Sequence, residues 1–263
     1  MNELLHQVVD IAKEAGEAIM AVYAGGIEVQ HKQDNSPLTQ ADLAAHNIIE
    51  AGLNKLTPKL PVLSEESASI PFDIRKQWQR YWLVDPLDGT REFIKRNGEF
   101  TVNIALIENH KTTMGVVFAP ALDLLFYGAQ GKGAFRQLAQ RPAQRIIART
   151  FDITQVAVVG SRSHGDETLT RFLNRMGPHM LISMGSSLKI CLVAEGRADL
   201  YPRLGLTSEW DTAAAQCVLQ EAGGKLIDMA GKPFCYNEKE SLLNPHFFAV
   251  GAGEHDWHQY LDT

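Results

Sequence analysis

The stretch Asp85-Pro86-Leu87-Asp88-Gly89-Thr90 sets two carboxylates around a proline and just before a glycine. Tyr81-Trp82-Leu83-Val84 reads as a strand that delivers Asp85 at its end; Pro86 then turns the chain and Gly89 permits a tight bend. Both carboxylates can face one crevice, with the Leu87 carbonyl free as a third oxygen. Oxygen donors of this kind suit a hard divalent cation such as Mg²⁺, which keeps waters for exchange with a substrate. A solvated Asp-Pro…Asp-Gly turn would use the same residues for turn chemistry alone.

Other acids fall where they could join this pair. Glu65-Glu66 follows a second short strand, Pro61-Val62-Leu63-Ser64, so two strands end in carboxylates on one edge of a sheet. Adjacent glutamates are by themselves ordinary surface charge. Trp210-Asp211 opens a helix. An acid there complements the helix dipole, and it can also aim a carboxylate at a cation. Thr39-Gln40-Ala41-Asp42 has the form of a capping box. A functional reading gives Asp42 the task of holding Thr90 and an attacking water.

These residues need elements to carry them. Leu4, Val8, Ile11, Ala15, Ile19 and Val22 recur at helical spacing up to a stop at Gly25-Gly26. Ile27, Val29 and His31 alternate as a strand before the turn Asp34-Asn35-Ser36-Pro37. Thr39 caps a second helix expected to turn Leu43, Ile49, Leu53 and Leu56 inward. Strands are expected over 100–108, 112–119, 123–128 and 133–137, an antiparallel meander with Asn109-His110-Lys111 as a hairpin turn. The apolar pattern lapses over 138–154, which places a boundary between an α+β unit, 1–145, and an α/β unit, 146–263. In the second unit strands (155–159, 180–183, 198–201, 225–228, 247–250) alternate with helices (166–176, 186–195, 211–222). The first unit holds the antiparallel sheet and most of the candidate ligands; the second completes the site.

The chain has 263 residues, 45% hydrophobic and 21% charged, as expected of a globular protein that buries a core without staples. Cys191, Cys217 and Cys235 are too few and scattered for a disulfide framework or a zinc pattern, and read as thiols in a reducing compartment. Glu3, Asp10, Lys13 and Glu14 interrupt any signal-like apolar stretch, and no run reaches membrane-spanning length, so a cytoplasmic location is expected. A net charge of −6 argues against long nucleic acid. It permits a small phosphorylated ligand once divalent cations reverse the local sign.

Taken in order, Asp42, Glu65-Glu66, the 85–90 stretch, Trp210-Asp211 and Gly223-Gly224 resemble the lithium-sensitive, Mg²⁺-dependent sugar-phosphatase superfamily. That group includes inositol monophosphatases, fructose 1,6-bisphosphatases and 3′-phosphoadenosine 5′-phosphate phosphatases. The resemblance runs from about Lys32 to Gly224, and it includes an eleven-residue gap between Asp211 and Gly223. It implies a layered α/β/α/β/α sandwich. It implies that Glu65, Asp85 and the Leu87 carbonyl hold one Mg²⁺, that Asp85, Asp88 and Asp211 hold a second, and that Glu66 assists a third. Thr90 and Asp42 would orient the attacking water for in-line displacement at phosphorus, with no covalent enzyme intermediate. Substrate would contact Glu65, Leu87, Asp88, Gly89, Thr90, Ser186, Lys189, Arg203 and Asp211. Arg91 departs from relatives that carry a second threonine there, but Thr90 supplies the required hydroxyl.

Substrate choice must come from outside the acids. Gly185-Ser186-Ser187-Leu188-Lys189 opens a helix with hydroxyls, N–H groups and a lysine, an anion-binding arrangement. Inositol monophosphatases resemble this region but tend to carry an acid near Arg203. A positive charge there, with Lys189, suits a second phosphate, although solvated surface charge is the competing account. This favours hydrolysis of 3′-phosphoadenosine 5′-phosphate to AMP and phosphate, with its 5′-phosphosulfate analogue as a further substrate. The by-product of sulfate activation would thereby be cleared. Ser161-Arg162-Ser163-His164 could frame a base or ribose, and Lys32 could touch a phosphate. Inositol monophosphatase activity and a non-catalytic, metal-binding regulator stay open as alternatives. An aspartyl-phosphate mechanism fits less well, because the Asp-x-Asp-Gly-Thr loop it uses has one residue fewer between its aspartates. Oligomeric state is open. Relatives associate weakly with the cytoplasmic face of the inner membrane, which no basic amphipathic helix here predicts.

Overall fold

The computed structural model describes residues 3–25, 29–31, 37–162 and 167–261. Gly26, Ile27, Lys32, Asp34-Asn35-Ser36, Ser163, His164 and Asp166 lie outside them.

The chain begins with α1 (Glu3–Ala24), a two-stranded ribbon of β1 (Val29–His31) and β2 (Pro37–Thr39), and α2 (Gln40–Leu56). In α1, Leu5, Val8, Ile11, Ala12, Ala15 and Ile19 form the buried stripe. In α2 the stripe is Ala41, Ala45, Ile49 and Leu53, spaced by four, with Asp42 buried beside it. Leu43 was expected inward but is 44% exposed. Two residues beyond Ala41 is about 200° around a helix, so one face cannot bury both.

A seven-stranded sheet follows: β3 (Val62–Ser64), β4 (Arg80–Asp88), β5 (Thr101–Glu108), β6 (Lys111–Ala119), β7 (Leu124–Ala129), β8 (Gly133–Leu138) and β9 (Gln144–Ile146), in that spatial order. Short helices α3 (Phe72–Arg75) and α4 (Thr90–Ile94) flank β4. β3 pairs with β4 in parallel; every later neighbour is antiparallel. The β5–β6 turn is shorter than expected, Asn109 and His110 alone. Both adopt left-handed φ (49° and 65°), while Lys111 already pairs with Glu108. β9 was not foreseen. It is an edge strand whose Gln144 and Arg145 face solvent, so it carries no apolar pattern.

The remainder comprises β10 (Val156–Ser161), α5 (Glu167–Met176), β11 (His179–Met184), α6 (Leu188–Ala194), β12 (Leu200–Arg203), α7 (Glu209–Glu221), β13 (Lys225–Asp228) and β14 (Phe247–Val250). The second sheet runs β11-β10-β12-β14-β13, parallel around β10 and antiparallel around β14.

Side-chain alternation assembles the layers. Trp82, Val84, Val102, Ile104 and Leu106 pack against α1 and α2. Tyr81, Leu83, Ala105 and Ile107 point the other way, into a cluster with α6 and α7 that also takes Tyr201, Phe247 and Ala249 from the second sheet. On that sheet's far side Val156, Val158, Leu200 and Phe248 meet Phe172 of α5 and Trp257. The result is the expected α/β/α/β/α sandwich. Among the described residues, no helix is long and apolar enough to cross a membrane.

The middle layer lies close to the first sheet because both surfaces are small where they meet. A Cβ added to Gly115 of β6 would sit 2.1 Å from the Ala214 carbonyl oxygen of α7. Backbone against backbone leaves no rotamer to relieve this. Gly115→Ala is therefore expected to lower the unfolding free energy by about 2 kcal/mol or more in urea denaturation. A loss below about 0.5 kcal/mol, the usual size for a surface change, would contradict this packing.

Candidate active site

The two aspartates of the 85–90 stretch share a face because β4 carries one residue too many. Asp85 is opposite Asn103 and Asp88 opposite Thr101, so three steps along β4 match two along β5. That is a β-bulge. Strict alternation would send residues three apart to opposite faces. Instead Asp85 and Asp88 face one cavity, while the Leu87 side chain is buried with α1 and α2. The strand therefore does not stop at Asp85, as residue spacing suggested, but runs through Pro86. Proline is tolerated there because β3 pairs with β4 only as far as Val84, leaving no partner on that side. Gly89 then turns the chain with φ 91°, and α4 starts at Thr90.

Asp42 caps α2 and does not itself line the cavity, but it reaches Thr90, which does. Its Oδ2 accepts from the Thr39 N–H (2.7 Å) and hydroxyl (2.6 Å). Its Oδ1 lies 3.4 Å from the Thr90 hydroxyl, which is also 3.3 Å from the Leu87 carbonyl oxygen. Asp211 repeats the device. Ser208 caps α7, and Asp211 Oδ2 accepts from the Ser208 N–H at 2.9 Å. The helix starts at Glu209, two residues before the expected Asp211. Glu65 begins a single 3₁₀ turn after β3 and lines the cavity. Its neighbour Glu66, in the same turn, donates its N–H to the Ser64 hydroxyl (3.4 Å) and does not line the cavity.

Asp85, Asp88 and Asp211 offer oxygens that all lie within 4.8 Å of one another. Burial drives the Asp85 carboxyl well above its ordinary range, and Glu65, Asp88, Asp211 and Asp42 add to it in that order. Asp211 is pushed up to about 8, first by burial and then by Asp88, against the Ser208 hydrogen bond. With Glu65 and the Leu87 carbonyl beside them, these are hard oxygen donors around a cavity of about 330 Å³. Crowded, desolvated carboxylates with all-oxygen chemistry fit divalent cations.

Beyond the acids the wall turns basic. Ser186 lies in the left-handed region (φ 48°) and α6 begins only at Leu188. The expected anion-binding turn is partly committed, since the Ser187 N–H donates to Asp88 Oδ2 at 2.6 Å. Lys189 is 8% exposed, with Nζ 5.5 Å from the Tyr201 ring centroid. Burial first, and then Arg203, hold its ammonium down to about 8 against the pull of Asp88. Arg203 donates from Nη2 to the Leu206 carbonyl (2.6 Å), while its buried Nε has no partner. Arg162 forms a bidentate pair with Glu99 (2.8 and 2.7 Å), and Glu99 also accepts from the Gly185 N–H. It thus braces the cavity wall, on which Ser161 lies. Ser163, His164 and Lys32 are outside the described residues.

Residue spacing missed Asn103 and read Ser187 only as part of an anion-binding turn, whereas both hydrogen-bond to Asp88. A lone amide inside the apolar strand Thr-Val-Asn-Ile-Ala-Leu-Ile was a usable signal for the first. Tyr201, Leu206 and Phe247 also line the cavity, but apolar residues there look like any other core or loop position.

A five-layered sandwich with this acidic cluster defines a class, and the chain belongs to it: the inositol monophosphatase family, whose model matches residues 1–258. Within that family the chain is similar to proteins named 3′(2′),5′-bisphosphate nucleotidase CysQ. The one from Salmonella typhimurium is 53% identical over 246 residues, covering 93% of this chain and 98% of that protein. That of Haemophilus influenzae is 41% identical, covering 98% and 96%. The crystal structure of CysQ from Bacteroides thetaiotaomicron superposes with a TM-score of 0.81 at 41% identity, covering 95% of this chain and 97% of that one. The extragenic suppressor protein SuhB from Bartonella henselae gives 0.77 at 28% identity, covering 98% and 96%.

The raised Asp211 carboxyl sets a pH dependence for the metal-free protein. The folded state holds this proton more tightly than the unfolded chain, so stability is full below the ordinary value of 3.8 and is lost as pH rises towards about 8. Asp211→Asn is expected to raise Tm in excess chelator, by a margin that grows from pH 5 to pH 8.5, about 2–4 °C per kcal/mol. An Asn variant less stable than the parent at pH 8.5 would show that crowding is not what Asp211 contributes.

Proposed function

We propose that the protein hydrolyses the 3′-phosphate of 3′-phosphoadenosine 5′-phosphate to give AMP and phosphate, using two Mg²⁺ ions. The observation that carries this reading is the meeting, in one cavity, of the acidic cluster with buried Lys189 and half-buried Arg203. Relatives more than 50% identical over nearly the whole chain are named for the same substrate class. A monophosphorylated polyol has no second anion to place against those cations. The 5′-phosphosulfate analogue fits equally, because its reacting 3′-phosphate is unchanged.

Glu65, Asp85, the Leu87 carbonyl, Asp88 and Asp211 would hold the two ions; Glu66 lies outside the cavity lining, so no third ion is proposed there. The ions would supply positive charge to the attacking and leaving oxygens of an in-line displacement at phosphorus. The chain's own residues do the rest. Thr90, set between Asp42 Oδ1 and the Leu87 carbonyl, can donate to either and accept a hydrogen bond from a water, fixing that water's orientation. Gly89 and Ser186 line the cavity beside the bulge, where the reacting phosphate would sit. Lys189 and Arg203 bind the other phosphate, and an anion beside Lys189 would restore the charge that burial weakens.

The test is phosphate release from 3′-phosphoadenosine 5′-phosphate, inositol 1-phosphate and fructose 1,6-bisphosphate, with Mg²⁺, with chelator and with added Li⁺. Preference for the nucleotide, abolished by chelator and reduced by Li⁺, is expected. Activity in chelator would overturn the mechanism. Preference for inositol 1-phosphate would overturn the substrate. Lys189→Met and Arg203→Ala should each raise KM for the nucleotide about tenfold or more, as expected for a charged hydrogen bond of ~1.5–3 kcal/mol. The KM for inositol 1-phosphate should move much less.

A further inference from the structure

Asn103 sits in the middle of β5, 1% exposed, opposite Asp85 in register. Its neighbours on that face are Ala105 and Ile107, which belong to the core under α7. A buried amide among such residues is costly wherever a polar atom goes unpaired, and Asn103 Oδ1 has no partner among the described residues. The cost would vanish with leucine. Its other end shows what it is held for. Nδ2 donates to the Ser187 hydroxyl at 2.8 Å and stands 3.5 Å from Asp88 Oδ2. Ser187, 3% exposed, lies 2.7 Å from two acceptors, Asp88 Oδ2 and the Asp211 main-chain carbonyl. A hydroxyl has one proton, and a carboxylate takes it in preference to a carbonyl. The Ser187 N–H donates to the same Asp88 oxygen at 2.6 Å.

We propose that Asn103 and Ser187 are positioning residues that fix Asp88, saturating its Oδ2 so that Oδ1 alone is presented to the cations. The chain of donors runs in one direction, from Asn103 to Ser187 to Asp88. Asn103 occupies the acceptor side of the serine hydroxyl, which directs the serine proton away from β5 towards the carboxylate. Ser187 also stands against the α7 backbone at Asp211, so one side chain sets the spacing between the bulge of β4 and the first turn of α7. Such outer contacts orient a ligand before the cation arrives, and their loss typically weakens metal affinity about 10–100-fold.

The inference rests on the metal reading above, so the test separates the two. Mn²⁺ binding to the purified protein is measured by electron paramagnetic resonance for the parent, Asp88→Asn, Asn103→Leu, Ser187→Ala and the Asn103→Leu/Ser187→Ala double variant, with Tm recorded for each. Asp88→Asn should abolish one class of Mn²⁺ site. Asn103→Leu and Ser187→Ala should each weaken that class about tenfold, and the double variant should lose less than the product of the two single losses, because the shorter Asn103 contact acts through Ser187. In assays, higher Mg²⁺ should restore their kcat with KM for substrate unchanged. Parent-like Mn²⁺ affinity in both single variants, or strictly additive losses, would overturn the positioning role. Parent-like affinity in Asp88→Asn would overturn the metal reading itself. If Asn103→Leu does not fold, Ser187→Ala decides alone, since it keeps the backbone N–H to Asp88.

Discussion

Carboxylates that repel one another have to be held together in a poorly hydrated crevice, and the rest of the architecture follows from how that is done. Each aspartate has one oxygen tied to a main-chain N–H. Asp42 accepts from Thr39, Asp85 from Leu87 (3.0 Å), Asp88 from Ser187 and Asp211 from Ser208. Main-chain donors cannot rotate away, so each carboxylate keeps its direction even where repulsion favours turning it out. The second oxygen of each is left for other work. The arrangement is unfavourable without cations, as the raised Asp85 and Asp211 carboxyls record, and that is what makes it a strong site for them.

The acids come from three places in the sandwich: the start of α2, the ends of β3 and β4, and the start of α7. Local structure fixes each direction, but only layer packing fixes the distances between them. The α7 contribution depends on the close contact of Ala214 with Gly115, and on an anchor at its N-terminal turn. There buried Glu209 accepts from the Asn237 N–H (2.8 Å) and Lys239 (3.1 Å), while Asn244 donates to the Ser208 carbonyl (2.6 Å). Arg75 closes the anchor by donating to Asn237 from α3. A helix held this firmly at its first turn can present Asp211 to the bulge of β4 without a wide search of side-chain conformations.

What was legible in the residues was local chemistry. Thr39-x-x-Asp42 announced a cap and α2 begins there, whereas Ser208-x-x-Asp211 has the same form and went unread because Trp210 drew the helix start forward. Apolar patterning placed the inner strands well, since their faces are buried on both sides. It failed for β9, whose exposed edge requires no apolar residue. It also could not show the bulge, because one extra residue is visible only against the register of the neighbouring strand. Arg162 was read as facing a ligand, yet its partner Glu99 is 63 residues away and no local pattern joins them. The contact of Ser187 with the acids was hidden for the same reason: its bonds to Asp88 and to the Asp211 carbonyl cross 99 and 24 residues.

The acids and the cations Lys189 and Arg203 are complementary features of one cavity. Asp88 and Asp211 favour the charged form of Lys189, yet burial and Arg203 outweigh them. The acids therefore only partly offset what burial costs the Lys189 ammonium. A direct ion pair between them would have closed the cavity and removed the need for any ligand. Keeping the two charge types within one cavity but unpaired leaves each wall short of its counter-charge. A phosphate ester brought in with divalent cations satisfies both walls together, so binding of the cations and of the anion must favour one another. The separation of Lys189 from the aspartates is in this sense as much a part of the site as the aspartates themselves.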